Sequence, residues 1–135
     1  MSIGYLLDTD WVIHYLNGNR SVIDKLNSLA GPQLAISVIS LAELYEGVYY
    51  SKDPARSAKG LEDFLSGVFI LGIDEETCKI FGRERGKLRQ QGKIAGDFDL
   101  MIASTCLRWN LVLLTNNIKH FEWLEKLQII STGNN

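Results

Sequence analysis

The chain has 135 residues, 46% of them hydrophobic and 22% charged, with a formal net charge of -2. That length suits one domain over residues 1–135, able to bury roughly two-thirds of the surface its unfolded chain exposes, and the balance excludes a disordered chain. It also excludes the overall basic character of most nucleic-acid-binding domains, so any nucleic-acid surface must be local. No apolar run approaches the roughly 18 residues that span a bilayer, and no charged leader precedes an apolar segment. The expectation is a cytoplasmic protein with no membrane partner.

In chain order, Gly4-Tyr5-Leu6-Leu7 is a short apolar run that stops abruptly at Asp8-Thr9-Asp10, as a buried strand does at its carboxyl end. Trp11 to Leu16 suits a helix, and a second helix follows Ser21, ending before Gly31-Pro32. Leu34-Ala35-Ile36-Ser37-Val38 reads as the second strand. Ser40-Leu41-Ala42-Glu43 then opens a helix with the S-x-x-E pattern of a capping box, which gives Glu43 a structural reading beside any functional one. Asp53 is a possible cap for a helix running to about Ser66, and Val68-Phe69-Ile70-Leu71 is a third strand.

Asp74-Glu75-Glu76 is an acidic first turn suited to the next helix. Lys79, Arg83, Arg85, Lys87, Arg89 and Lys93 follow against the single acid Glu84. A solvated helix face explains such a run, but this one leads into Gly96-Asp97-Phe98-Asp99. A positive ridge beside carboxylates suits a phosphodiester substrate, with Arg83, Lys87 and Arg89 as candidate contacts to its backbone. A helix beginning near Phe98 would put Asp99, Ile102, Ala103 and Cys106 on one stripe toward the sheet, with Asp97 before it as a cap. Leu111 to Leu114 is a fourth strand ending at Thr115-Asn116-Asn117. A short helix around residues 120–124 and a last strand over residues 127–130 complete the chain.

Strand and helix alternate throughout, which calls for a mainly parallel sheet of four or five strands covered on both faces. In such a sheet the carboxyl ends of the strands share one edge, where open α/β folds place their ligands. Asp8, Glu43 and Asp99, with Asp97 nearby and Thr115 and Asn117 at another strand end, then form an oxygen-rich set without histidine or thiol. Those donors suit Mg²⁺ or Mn²⁺ and disfavour zinc. A cation would relieve the repulsion among the acids, polarise a phosphoryl oxygen and acidify a bound water, so phosphodiester hydrolysis is the natural reaction class. His14 and His120 read as packing or hydrogen-bonding residues, and Cys78 and Cys106 as reduced core thiols.

At Leu6-Leu7-Asp8-Thr9-Asp10, residues 37–44, residues 97–104, Leu114-Thr115-Asn116-Asn117 and His120-Phe121, the sequence resembles the PIN-domain ribonucleases, in particular the VapC-type toxins of prokaryotic toxin–antitoxin pairs. The resemblance runs nearly end to end. It implies a three-layer α/β/α sandwich and a Mg²⁺-dependent endoribonuclease, usually a homodimer held inactive by an antitoxin. Asp8, Glu43 and Asp99 match the family's three core acids. The fourth acidic place is Asn117 here, so one or two metal ions, and a part for Asp97 in the missing charge, are both open. Two other readings compete. One is a haloacid-dehalogenase-type phosphatase with Asp8 as nucleophile, which lacks a clear catalytic lysine after its third strand. The other is a phosphoacceptor receiver domain, which needs a lysine at the end of its last strand, where Ser131-Thr132 stand.

Overall fold

The computed structural model describes residues 2–29 and 33–133. Five parallel strands, β1 (Tyr5–Leu7), β2 (Leu34–Ser37), β3 (Phe69–Leu71), β4 (Val112–Leu114) and β5 (Ile129–Ile130), lie in the order β3-β2-β1-β4-β5. The chain builds outward from β1 to β3, then returns to the other side of β1 with β4. The order therefore reverses between β1 and β4, the place where such sheets open a crevice. A receiver domain has the different order 2-1-3-4-5, so the receiver reading fails on topology.

The two faces are separated by the strand alternation itself. Leu6, Ala35 and Leu113 point to a layer formed by helices α5 (Glu75–Gln90) and α6 (Asp97–Trp109), where Leu88, Leu100, Ile102, Ala103 and Cys106 are buried. The next residues, Leu7, Ile36 and Leu114, point to the opposite layer. There α1 (Thr9–Leu16), α2 (Arg20–Ser28), α3 (Val38–Tyr49) and α4 (Pro54–Leu65) bury Trp11, Val12, Val22, Leu26, Leu44, Val48 and Leu61. This is the expected α/β/α sandwich, with both faces of the inner strands covered, while the edge strand β3 leaves Phe69 and Ile70 exposed.

Most helices begin at the side chain the sequence offers. Asn19, Ser37, Asp53 and Asp74 accept from first-turn N–H groups of α2, α3, α4 and α5. Several expectations shift. Val38 is helical and the cap of α3 is Ser37, not Ser40, because β2 passes into α3 without a loop. The capping-box reading of Glu43 therefore fails, and the Ser40 hydroxyl is buried without a partner among the described residues. Helix α6 begins at Asp97 with Gly96 as N-cap and no side-chain cap, so Asp97 is not the cap either. The short C-terminal helix is a single 3-10 turn, Ile118–His120. Cys106 is buried as expected but Cys78 is exposed. Gly31-Pro32, read as the stop of α2, lie outside the described residues.

Candidate active site

Strand β1 ends at Leu7, and the next residue, Asp8, stands at the carboxyl edge of the sheet as the N-cap of α1. Its Oδ1 accepts from the Thr9 N–H at 2.8 Å and its Oδ2 from the Thr115 hydroxyl at 2.8 Å. The side chain is held in place and only 5% exposed. In the first turn of α1, Asp10 accepts from the Asn116 N–H at 2.9 Å, so both acids of the first motif are tied to the end of β4. Glu43 comes in from α3, where the Thr9 hydroxyl donates to its Oε1 at 2.6 Å. Asp99 comes from the first turn of α6.

These elements enclose an open cleft of about 470 Å³ lined by Asp8, Thr9, Asp10, Glu43, Gly96, Asp97, Phe98, Asp99, Asn117 and His120. Asp8, Glu43 and Asp99 are thus brought together as expected, at the carboxyl edge beside the reversal of strand order. Thr115 stands behind them as a donor to Asp8, and its hydroxyl also accepts from the Asn117 N–H at 3.0 Å. Asn117 lines the cleft with a neutral side chain.

Crowding of carboxylates shows in their acidity. Burial pushes the Asp8 carboxyl up to about 7, Asp10 and Asp99 add to the rise, and the Thr115 and Thr9 hydrogen bonds oppose it. Burial likewise raises Asp10, against the Asn116 N–H and the nearby His14. Among the described residues no three acidic, histidine or cysteine side chains stand close enough to hold a metal ion by themselves. An open, oxygen-rich, charge-excessive cleft still fits a hard cation such as Mg²⁺. That ion keeps several waters and binds one or two carboxylates plus substrate oxygens, rather than filling a closed protein cage.

Asp97 stands apart from the other acids. Its side chain is 82% exposed and paired with Arg85, which also donates to the Ala95 carbonyl and so pins the approach to α6. The basic ridge divides in the same way. Arg83 and Lys87 both pair with the buried Glu84, and Lys79 pairs with Glu76. Arg89 instead follows Phe81 and Arg85 along one stripe of α5, beside Asp97 and Phe98 at the cleft.

Sequence reasoning did not place Asp10 and His120 in the site. The ring of His120 is 3.0 Å from Asp99, Nδ1 to Oδ2, and is more exposed than a packing residue would be. A signal was available. Residues three apart eclipse one another on a 3-10 turn, so an Asn117 that faced the cleft would bring His120 with it.

The fold and cleft define a parallel α/β domain with carboxylates gathered at its switch point. The chain belongs to the PIN domain family, whose model matches residues 5–126. It is 35% identical over 119 residues to Ribonuclease VapC2 of Haemophilus influenzae, covering 87% of this chain and 89% of that one. It is 30% identical over 118 residues to the tRNA(fMet)-specific endonuclease VapC of Shigella flexneri, again covering 87% and 89%. Among solved structures, the crystal structure of VapBC2 from Rickettsia felis bound to a DNA fragment from their promoter superposes with a TM-score of 0.88. Its identity is 34%, with 96% of this chain and 98% of that chain covered. These matches do not favour the phosphatase reading.

Proposed function

We propose that the protein is a Mg²⁺- or Mn²⁺-dependent endoribonuclease, the toxin of a toxin–antitoxin pair, which hydrolyses phosphodiester bonds in RNA. The observation that carries this reading is the arrival of Asp8, Glu43 and Asp99, from three separate elements, at one open cleft. The similarity to ribonucleases of the VapC group supports it.

Asp8, Glu43 and Asp99 would hold the cation, with a lesser part for Asp97, whose charge is already answered by Arg85. When bound, a divalent cation supplies Lewis-acid polarisation of the phosphoryl oxygen and a more acidic water. The chain's own residues fix the acids for that task. Thr115 and the Thr9 N–H hold Asp8, the Thr9 hydroxyl holds Glu43, and the exposed Arg89 offers a charge to the RNA backbone near the cleft.

An antitoxin as inhibitor, a homodimer as the working form and a cytoplasmic location belong to the same reading. Among the described residues no helix is long and apolar enough to cross a membrane. The name of the Shigella relative makes transfer RNA the first substrate to try. The test is incubation of the purified protein with transfer RNA and with unstructured RNA, with Mg²⁺ or with excess chelator. Internal cuts with Mg²⁺ and none with chelator are expected. Full cleavage in chelator, or release of inorganic phosphate from monoesters with phosphate trapped on Asp8, would overturn the reading.

A further inference from the structure

Every acid of the cleft has a holder from elsewhere in the chain, and the holders differ in kind. Asp8 is tied by a buried hydroxyl and a backbone N–H, Asp10 by a backbone N–H, Glu43 by a hydroxyl, and Asp97 by a guanidinium. Asp99 lies in the first turn of α6, whose N-cap is a glycine with no side chain to offer. Its one side-chain partner among the described residues is the ring of His120, on the turn that follows β4. An ionised carboxylate cannot donate, so Nδ1 carries the proton in this bond. The ring takes Oδ2 and leaves Oδ1 without a partner among the described residues at the cleft.

We propose that His120 is a positioning residue for Asp99: its Nδ1–H fixes one carboxylate oxygen so that the other faces the cation site, and the ring itself does not ligate. The inference rests on the metal-dependent reading above. Without the ring, Asp99 would be free to sample several staggered rotamers at a half-exposed helix start, and a ligand that must be ordered on binding binds more weakly. Losing the hydrogen-bond partner of a ligating group costs about 10- to 100-fold in metal affinity or activity.

The experiment measures Mn²⁺ binding to the full chain by electron paramagnetic resonance, without RNA, for wild type, His120→Ala, His120→Asn and His120→Gln. An asparagine amide N–H falls near the place of Nδ1, whereas that of glutamine falls near Nε2. Alanine and glutamine should therefore bind Mn²⁺ about 10-fold or more weakly, and asparagine close to wild type. The Mg²⁺ concentration for half-maximal cleavage should shift in the same order. Melting temperatures should stay level, because the ring is exposed. Equal Mn²⁺ affinity in all four proteins, an asparagine variant as weak as alanine, no Mn²⁺ binding by wild type, or spin-echo modulation from a directly bound nitrogen would each overturn the proposal. Should the variants order as expected while RNA stays uncut, the positioning role stands and the ribonuclease reading falls. Cleavage of RNA with equal affinities means the opposite.

Discussion

The Thr115 hydroxyl donates to Oδ2 of Asp8 over 2.8 Å, joining the carboxyl ends of two neighbouring parallel strands through their side chains. The backbone does the same one step earlier, where the Asp8 N–H reaches the Leu114 carbonyl at 2.9 Å. Asp8 is thereby held where burial and Asp10 both oppose its charge, a position that sequence-local stability would not select.

That opposition fixes a pH dependence. The folded Asp8 carboxyl is raised from its ordinary value to about 7, so between roughly pH 4 and pH 7 the native state binds more protons than the unfolded state. Stability from this group is present below the unfolded value and is lost as pH rises toward the folded one, to the extent of a few kcal/mol as an order of magnitude. Urea unfolding of metal-free wild type and Asp8→Asn from pH 4 to pH 8 should show the variant gaining relative stability as pH rises. Saturating Mg²⁺ should shrink that gain, since a cation favours the ionised form.

Asp99 and Asp97 separate by geometry. Asp99→Asn should reduce RNA cleavage at least 100-fold with an unchanged melting temperature, because shape is kept and a cleft charge removed. Asp97→Asn should keep most of the activity, because that carboxylate is exposed, caps nothing and is answered by Arg85. Single-turnover cleavage of both variants against Mg²⁺ concentration checks the pair.

On α5, Arg89→Gln should flatten the salt dependence of RNA binding by about 0.7 in log–log slope, one phosphate contact with a single strand. Arg83→Gln and Lys87→Gln should flatten it less and lower stability slightly, since both flank the buried Glu84. Filter binding at several salt concentrations, with denaturation as control, distinguishes them.

Asn116→Ala should destabilise by about 3 kcal/mol, because the amide oxygen accepts from buried Trp11 Nε1 at 3.0 Å and from the Thr132 N–H at 3.0 Å. Adding Trp11→Phe removes the stranded donor and should cost less in the Asn116→Ala background than in wild type, which a double-mutant cycle measures.

What the sequence disclosed follows physical reach. Strands buried on both faces are short unbroken apolar runs, and an acid directly after one stands out, so Asp8 was legible from pattern alone, whereas Glu43 and Asp99 stand on helices and were singled out by their family-like motifs. The start of α3 was not, because Ser37 and Ser40 are both good caps three residues apart and only the missing loop after β2 decides between them. Asp97 was misjudged because its partner Arg85 lies on another helix, and the His120 bond spans from α6 to the turn beyond β4. Contacts of that kind have no periodicity to betray them.

Asn116 also couples parts of the chain with little regular structure of their own. Its Nδ2 donates to the Thr132 hydroxyl at 2.8 Å, its Oδ1 accepts from the Ser131 hydroxyl at 2.9 Å, and its backbone N–H donates to Asp10. The strand just before Ser131 has two residues, too few to resist peeling alone. Hydrogen exchange is therefore expected to show residues 131–132 and the Asp10 side of the cleft opening together. Anything that grips the chain there, whether an affinity tag or a bound protein, acts on Asp10 at a remove of two hydrogen bonds.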